Sequence, residues 1–238
     1  MFQKQANKSL QADNLRGVCI VVSLSLNFTT MQTPHKLRLS EALSEKNGSS
    51  IHMRIGSREQ LQEYIAQGKK VKYVFFWGHT VSGSAVTKAC FSQWYSSPFE
   101  VEGLEFPTAE HYMMYRKATL FNDTSAVNQL LESVDPGKAK AIGRTVEGFD
   151  QAVWEQHRME IAVSGNVAKF SSDSSLREFL IGTGQRVLVE ASPVDKIWGI
   201  GLEEKNPSSS NPYKWKGENL LGFALMEARE VLSEYSGT

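Results

Sequence analysis

From Ser57 to the C-terminus the chain is divided by helix caps and glycines, and this punctuation indicates a mainly helical fold. Ser57, with Gln60 three residues later, matches a capping box, and Thr108 follows Pro107 as a helix N-cap. Apolar residues at helical spacing fill the segments between these signals. The pattern predicts helices over residues 57–68, 108–121, 138–143, 150–170, 174–181 and 217–235.

Two segments have the composition of β-strands instead. Residues 71–77 (VKYVFFW) are dense in β-branched and aromatic side chains, and residues 186–190 (RVLVE) repeat this character in a shorter form. The predicted fold class is therefore mainly α, an α+β arrangement with a few short strands. We expect it to form one compact domain over residues 57–238.

The charge balance limits the kind of partner. Lys and Arg total 26, Asp and Glu total 26, and the formal net charge is zero, so a globally basic nucleic-acid binder is not expected. The 41% of hydrophobic residues can fill a core. Cys19 and Cys90 form no disulfide or zinc pattern, and such sparse cysteine is typical of a reducing, cytoplasmic compartment.

The first 56 residues differ in composition from the rest. They are rich in Ser, Asn, Gln and Lys, and residues 44–50 (SEKNGSS) have the composition of a linker. An apolar run at residues 17–28 follows basic residues, but it is too short to span a membrane and no small-residue cleavage site follows it. We interpret residues 1–56 as an N-terminal extension, either disordered or containing a strand, and expect no membrane association.

The segment with the most chemical information is residues 106–121 (FPTAEHYMMYRKATLF). Glu110, Met113, Met114 and Lys117 are spaced i, i+3, i+4 and i+7, so they share one helix face. At 1.5 Å per residue Lys117 lies roughly 10 Å along the axis from Glu110, and both long side chains could reach one ligand. The helix dipole is expected to favour the ionised form of Glu110. The structural alternative is a surface Glu and a Lys lying along the surface.

A second cluster follows the second predicted strand, at residues 190–202 (EASPVDKIWGIGL). A Trp near an acid on a loop, here Trp198 and Asp195, can stack on a base or sugar while the acid makes a polar contact. Gly199 would permit the close approach of a ligand. The structural alternative is a core Trp and a turn-forming Asp.

Aromatic and basic segments could complete a pocket. Residues 91–99 (FSQWYSSPF) are unusually aromatic for a loop and fit either a core seam or a pocket wall. Residues 138–144 (KAKAIGR) and Lys169 carry basic side chains that could hold phosphate. His79 and His111 have no partners at metal-ligand spacing, and the sequence has no phosphate-loop, dinucleotide or serine-hydrolase motif. We therefore expect neither a metal nor a cofactor.

Taken in order, these segments resemble the NADAR family, also called YbiA-like. The resemblance covers about residues 71–236. Two departures are Gln93 and Trp94, where the family pattern has Asn and Phe, and residues 203–213 (EEKNPSSSNPY), an insertion that we expect to form a flexible rim. The matching pieces are FSQW at 91–94, GLEFPTAEHYMMYRKA at 103–118, KAIGR at 140–144, Trp154, KF at 169–170, LVEASPVDKIWGIGL at 188–202 and WKGENLLGFALMEAR at 215–229.

This resemblance implies a compact, mainly helical fold and hydrolysis of an N-glycosidic bond between a base and a ribose. Together with the patterns above, it implies catalytic roles for Glu110, Lys117 and Asp195. The residues expected to bind substrate are Ser92, Trp94, His111, Met114, Arg144, Trp154, Trp198, Gly199 and Asn219.

Three functions remain open at this point. The first is removal of ADP-ribose from ADP-ribosylated guanine, free or in DNA or RNA. The second is hydrolysis of ribosylamino-pyrimidine phosphates, which are early riboflavin intermediates, with release of ribose 5-phosphate. The third is a non-catalytic module that binds ADP-ribose or NAD, which would not need both Glu110 and Lys117. The tryptophans and the expected flexible rim favour the first function because they suit a larger ligand.

Overall fold

The computed structural model describes residues 54–80 and 83–234. Residues 1–53, which hold nearly all of the predicted extension, lie outside the described residues. The described part contains seven α-helices and four short strands, which confirms the predicted mainly α fold with few strands. None of these helices is both long and apolar enough to cross a lipid bilayer. In chain order the elements are α1 (Arg58–Ala66), β1 (Tyr73–Phe76), a 3₁₀ helix (Lys88–Phe91), β2 (Phe99–Val101), β3 (Leu104–Phe106), α2 (Ala109–Leu120), α3 (Thr124–Glu132), α4 (Pro136–Arg144), α5 (Gln151–Ser172), α6 (Ser174–Ile181), β4 (Val187–Glu190), a second 3₁₀ helix (Pro212–Lys214) and α7 (Leu220–Glu234).

Side-chain caps begin the first two helices where the sequence predicts them. The Ser57 hydroxyl accepts a hydrogen bond from the Gln60 backbone N–H (3.2 Å) at α1, and Thr108 caps α2. The Gln60 side chain reaches back to the N–H of Gly56 (2.7 Å) rather than to that of Ser57, a variant of the expected capping box. Fixing the start of α2 also fixes which of its residues share a face.

The sequence-based prediction missed one helix and one hairpin. Helix α3 has nine residues and is capped by Asp123, whose carboxylate accepts a hydrogen bond from the Ala126 N–H (2.9 Å). Strands β2 and β3 pair antiparallel through a two-residue turn at Glu102 and Gly103, which have φ of 54° and 78°. Each of these strands has three residues, too few for an alternating pattern to stand out.

Two hydrophobic clusters form the interior. One joins the parallel pair β1 and β4 with α6, α7 and the C-terminal half of α5. The other joins the β2–β3 hairpin with α2, α3, α4 and the N-terminal half of α5. Because Trp198 packs against both clusters, the loop after β4 lies at their junction.

Residues 203–213 do not form the flexible rim expected from the sequence. The Ser209 hydroxyl donates to the Glu203 carbonyl (2.7 Å), which closes the segment on itself, and the Ser209 carbonyl accepts from the indole N–H of Trp215 (2.7 Å). The Tyr213 hydroxyl donates to the Gln62 carbonyl (2.8 Å), which ties the segment to α1. Hydrogen bonds therefore hold this insertion against α1.

Candidate functional site

An open cavity of about 460 Å³ lies between α2, α4, the N-terminal half of α5 and the loop that follows β4. Its volume falls within the range of roughly 300–1,000 Å³ that is usual for small-ligand sites. A smaller recess of about 50 Å³ adjoins it and shares several of its lining residues. The larger cavity is lined by Glu110, Met113, Met114, Lys117, Lys140, Gly143, Arg144, Phe149, Gln151, Trp154, Arg158, Val194, Asp195, Lys196, Ile197 and Trp198.

Helix α2 presents to this cavity the face that its residue spacing predicts. Glu110, Met113, Met114 and Lys117 all line the cavity. The acid and the amine therefore share one space. The ion pairs found in the described part of the chain do not include one between Glu110 and Lys117. Because the two groups are not paired with each other, a ligand in the cavity can contact both of them.

Glu110 is buried, with 3% of its surface exposed. Burial raises the pKa of its carboxyl to about 7, although Lys140 and a hydrogen bond with the Trp94 side chain favour the charged form. Its Oε1 has no hydrogen-bond partner among the residues that the structure describes. Near neutral pH Glu110 is therefore only partly ionised, although the helix dipole favours its charged form, because lost hydration outweighs the favourable helix N-terminus.

Lys117 is held at the cavity by one carbonyl and two aromatic rings. Its Nζ donates to the Gly143 carbonyl (2.7 Å) and lies 4.1 Å from the ring centre of Phe149 and 5.6 Å from that of Trp154. Partial burial lowers the pKa of this amine. Gly143 has no room for a side chain, because a Cβ there would overlap the Met114 sulfur. The close approach of α4 to α2 thus brings the Gly143 carbonyl within reach of Lys117.

The segment FSQW forms one side of the small recess. Ser92 and Trp94, two predicted binding residues, line it together with Gln93. The segment is anchored by Lys169 of α5, whose Nζ donates to the carbonyls of Cys90 (2.6 Å) and Ser92 (2.9 Å). Lys169 is fully buried, and burial lowers the pKa of its amine to about 7. It is a loop anchor and not the phosphate ligand considered from the sequence.

Asp195 and Trp198 line the cavity and also build the turn that carries them. One oxygen of Asp195, Oδ1, accepts hydrogen bonds from the backbone N–H groups of Ile197 (2.9 Å) and Trp198 (2.8 Å). The Asp195 N–H donates to the Ser192 hydroxyl (3.2 Å). The turn-forming Asp of the structural alternative is therefore present, and the same turn places the acid and the indole ring at the cavity.

Glu190 is a recess residue that sequence reasoning did not single out. It ends β4 and lines the recess together with Glu110 and Asp195. Burial raises the pKa of its carboxyl to about 8, and the charge of Asp195 adds to this effect. The available signal was an acid at the end of an apolar strand (VLVE), a position that is ordinarily interpreted as facing solvent.

Three residues predicted to bind substrate line neither space, namely His111, Gly199 and Asn219. His111 is buried, with Nδ1 2.8 Å from the Thr108 hydroxyl. The buried Asn219 side chain accepts a hydrogen bond from the Glu190 N–H (2.9 Å) and donates one to the Leu188 carbonyl (2.9 Å), both on β4. A Cβ on Gly199 would lie 2.9 Å from the Glu190 carbonyl oxygen. These residues position the segments that line the site.

Basic side chains surround the cavity. The cavity is lined by Lys117, Lys140, Arg144 and Lys196. Arg158 also lines it but forms an ion pair with Glu218, with a nitrogen-to-oxygen distance of 3.0 Å. This distribution suits an anionic ligand such as a phosphate ester. The described residues contain no group of three or more His, Cys, Asp or Glu side chains placed to hold a metal ion.

Comparisons with known proteins identify the family and agree with this fold. The NADAR domain model matches residues 75–233. N-glycosidase R617 of Acanthamoeba polyphaga mimivirus is 41% identical over 164 residues, which cover 67% of this chain and 95% of that protein. Protein irg-1 of Caenorhabditis elegans is 32% identical over 186 residues, covering 71% of this chain and 84% of that protein.

A solved structure shares the fold. The NMR structure of YbiA from Escherichia coli matches with a TM-score of 0.57 and 26% sequence identity, covering 71% of this chain and 89% of that chain. In a direct sequence comparison, N-glycosidase YbiA of Escherichia coli strain K12 is 31% identical over 143 residues, covering 60% of this chain and 81% of that protein. With most of its described residues matched by the domain model, the chain belongs to the NADAR domain family.

Proposed function

We propose that this chain is an N-glycosidase that removes ADP-ribose from ADP-ribosylated guanine, either as a nucleoside or within DNA or RNA. The observation that carries the proposal is the cavity shared by Glu110 and Lys117, with Trp154 and Trp198 in its walls. Relatives R617 and YbiA are named N-glycosidases, which supports this class of reaction.

Glu110 acts at the ribose carbon. Cleavage of a C1′–N bond builds positive charge on that carbon and negative charge on the departing base. The Glu110 carboxylate supplies the compensating anion and accepts a proton from the attacking water. A pKa of about 7 suits this role, because a base is most effective when its pKa lies near the working pH. Asp195 orients a ribose hydroxyl or the base.

Lys117 has two chemically distinct roles open to it. Burial lowers the pKa of its amine, which increases the neutral fraction that could attack C1′ of the ring-opened sugar and form a Schiff base. The charged ammonium could instead hold a phosphate or a sugar hydroxyl. Its position beside the rings of Phe149 and Trp154 serves either role.

The other lining residues favour a substrate that carries a diphosphate. Lys140, Arg144 and Lys196 add cations to that of Lys117, more than a single phosphate requires. Trp154 and Trp198 offer aromatic surface for a base. Because the insertion at residues 203–213 is held against α1 and absent from the lining, the preference for a larger ligand now depends on these cations and tryptophans.

Product analysis by mass spectrometry tests the proposal. Purified protein is incubated separately with ADP-ribosylated guanosine, an ADP-ribosylated oligonucleotide and a ribosylamino-pyrimidine phosphate. We expect ADP-ribose from the first two substrates, released faster than ribose 5-phosphate from the third. Glu204→Gln changes an exposed acid outside the cavity. It controls for the removal of any one carboxylate and should release the same products as wild type.

Two other outcomes would contradict the proposal. Release of ribose 5-phosphate alone would assign hydrolysis of riboflavin intermediates. Binding of ADP-ribose with no turnover of any of the three substrates would assign a non-catalytic module.

A further inference from the structure

Glu190 stands out because its backbone is fully engaged while its side chain is not. Its N–H donates to the Asn219 side chain (2.9 Å), and its carbonyl accepts from the Ile200 N–H (2.9 Å). The residue also lies opposite Phe76 in the parallel β1–β4 pair. These contacts fix the Cα of Glu190 from three directions and leave its carboxyl group in the recess.

One oxygen of the carboxyl group lacks a partner among the residues that the structure describes. This oxygen, Oε2, is buried and makes no hydrogen bond with them. The recess that it lines is bounded on another side by Trp94 and opens toward the cavity through the shared residues Glu110 and Asp195. Buried polar groups nearly always have hydrogen-bond partners, so an unpartnered carboxyl oxygen in a recess indicates a missing ligand atom.

We infer that Glu190 is the acid that donates a proton to the departing base, an assignment that rests on the proposed N-glycosidase function. The recess is too small for a whole nucleoside but can admit the edge of a base. A base edge there would meet Glu190, while the ribose of the attached ADP-ribose remains in the larger cavity beside Glu110. The two carboxyl groups would then serve opposite ends of the same C1′–N bond.

Burial and two neighbouring acids favour the protonated form of Glu190. Burial is the largest effect, Asp195 and Glu110 add to it, Lys140 opposes it, and the resulting pKa is about 8. Burial also raises the pKa of Glu110, to about 7, and position separates the two roles: Glu110 also lines the larger cavity, where the ribose would lie, whereas Glu190 lines only the recess.

The proton balance of the reaction is complete. The C1′–N bond breaks, its electron pair moves to the base nitrogen, and that nitrogen takes the Glu190 proton. Water forms the new C1′–O bond and gives one proton to the Glu110 carboxylate. Transfer of this proton from Glu110 to Glu190 through solvent restores the starting state, so no further reactant is needed.

A leaving-group comparison tests the inference with Glu190→Gln. An amine-linked base such as guanine needs a proton to leave, whereas p-nitrophenolate does not. Glu190→Gln should therefore lower kcat on ADP-ribosylated guanosine by about 100-fold or more. On p-nitrophenyl ADP-ribose it should lower kcat by no more than about 3-fold, since general-acid help is not required there. Glu110→Gln should impair both substrates.

The pH profile supplies a second readout that a structural role would not move. Wild-type kcat on the guanosine substrate should fall as pH rises past about 8, and this alkaline limb should vanish in Glu190→Gln. If Glu190→Gln lowers kcat equally on both substrates and leaves the alkaline limb unchanged, Glu190 is only a positioning residue and the inference is overturned. Turnover of Glu190→Gln equal to that of wild type would overturn it as well. A wild-type protein inactive on both substrates would instead overturn the proposed function and the inference with it.

Discussion

The two sides of the cavity are built in different ways. The helical wall consists of the α2 face from Glu110 to Lys117 and of Lys140 and Arg144 on α4. The loop wall consists of residues 194–198 at the cavity and of Glu190, at the end of β4, in the adjoining recess. Helix periodicity alone orients the helical wall, whereas the loop wall depends on Asn219, which bonds β4 from 29 residues further along the chain. Local sequence therefore specifies one wall and long-range contacts specify the other.

The two walls also differ in chemistry. The helical wall brings three cations, Lys117, Lys140 and Arg144, with the acid Glu110. The loop wall brings two acids, Glu190 and Asp195, with the cation Lys196. We therefore expect changes in the helical wall to affect the sugar and phosphate groups of the ligand, and changes in the loop wall to affect the base. The following predictions test this division.

Glu110→Gln should have the largest effect. Removing the anion beside C1′ and the acceptor for the water proton should lower kcat by about 100- to 10,000-fold. The fold should persist because the amide is nearly isosteric, and thermal unfolding checks this. Steady-state product release measures the effect, and turnover equal to wild type would remove Glu110 from the mechanism.

Lys117→Met should come next. Loss of one charge-assisted contact of about 1.5–3 kcal/mol corresponds to roughly a 10- to 100-fold lower kcat/KM. If the amine forms a Schiff base, borohydride treatment with substrate traps an adduct on wild type and not on Lys117→Met. Lys138→Met, on α4 but outside the cavity lining, is the control and should retain activity and any adduct. An adduct that persists in Lys117→Met would exclude Lys117 as the amine.

The stability of the loop wall can be measured with two matched asparagines. Asn219 and Asn122 both have φ of 59°, but Asn219 is fully buried and Asn122 is exposed. Asn219→Ala leaves the Glu190 N–H and a β4 carbonyl without their partner, which should cost about 1–3 kcal/mol for each orphaned group. Urea unfolding should show a smaller loss for Asn122→Ala, and equal losses would argue against the proposed anchor.

Glu110 and Glu190 should together make the free energy of unfolding fall as pH rises from about 4.5 to 8. Folding raises the pKa of Glu110 from 4.5 to about 7 and that of Glu190 to about 8. Both carboxyls keep their protons in the folded chain at pH values where the unfolded chain releases them. Their stabilising effect is present below the unfolded pKa and is lost through the folded pKa values. The double variant E110Q/E190Q should flatten this dependence in urea titrations, and an unchanged slope would contradict it.

Trp94→Phe should have the smallest effect. The hydrogen bond of the Trp94 side chain lowers the pKa of Glu110, and Phe, the residue usual in the family pattern, cannot form it. The acid limb of the pH profile should therefore move to higher pH, with less than about a 10-fold change in kcat near neutral pH. A profile identical to that of wild type would show that this hydrogen bond does not tune Glu110.

Much of the helical wall was predictable from sequence. The Thr108 cap and the spacing from Glu110 to Lys117 are local signals, and the structure places both residues at one cavity. Their ionisation was not predictable, because the pKa of Glu110 depends on burial by residues from other elements. His111 shares the same motif, yet it is turned away from the cavity and contacts the Thr108 hydroxyl.

The loop wall was predictable only in part. The Trp and Asp of the segment VDKIW indicated a binding loop, and both line the cavity. Glu190 escaped notice because nothing near it in sequence shows that its strand ends at a recess. That position depends on Asn219 and on the close packing of Gly199 against the Glu190 carbonyl, which are contacts between distant parts of the chain.

A crystal structure of the Glu110→Gln variant with uncleaved ADP-ribosylated guanosine tests the central claim most directly. We expect the carbon that joins ADP-ribose to guanine next to residue 110, with Lys117 in contact with the same ligand and the edge of the guanine next to Glu190. A ligand bound outside the cavity, or one that contacts neither residue 110 nor Lys117, would contradict it.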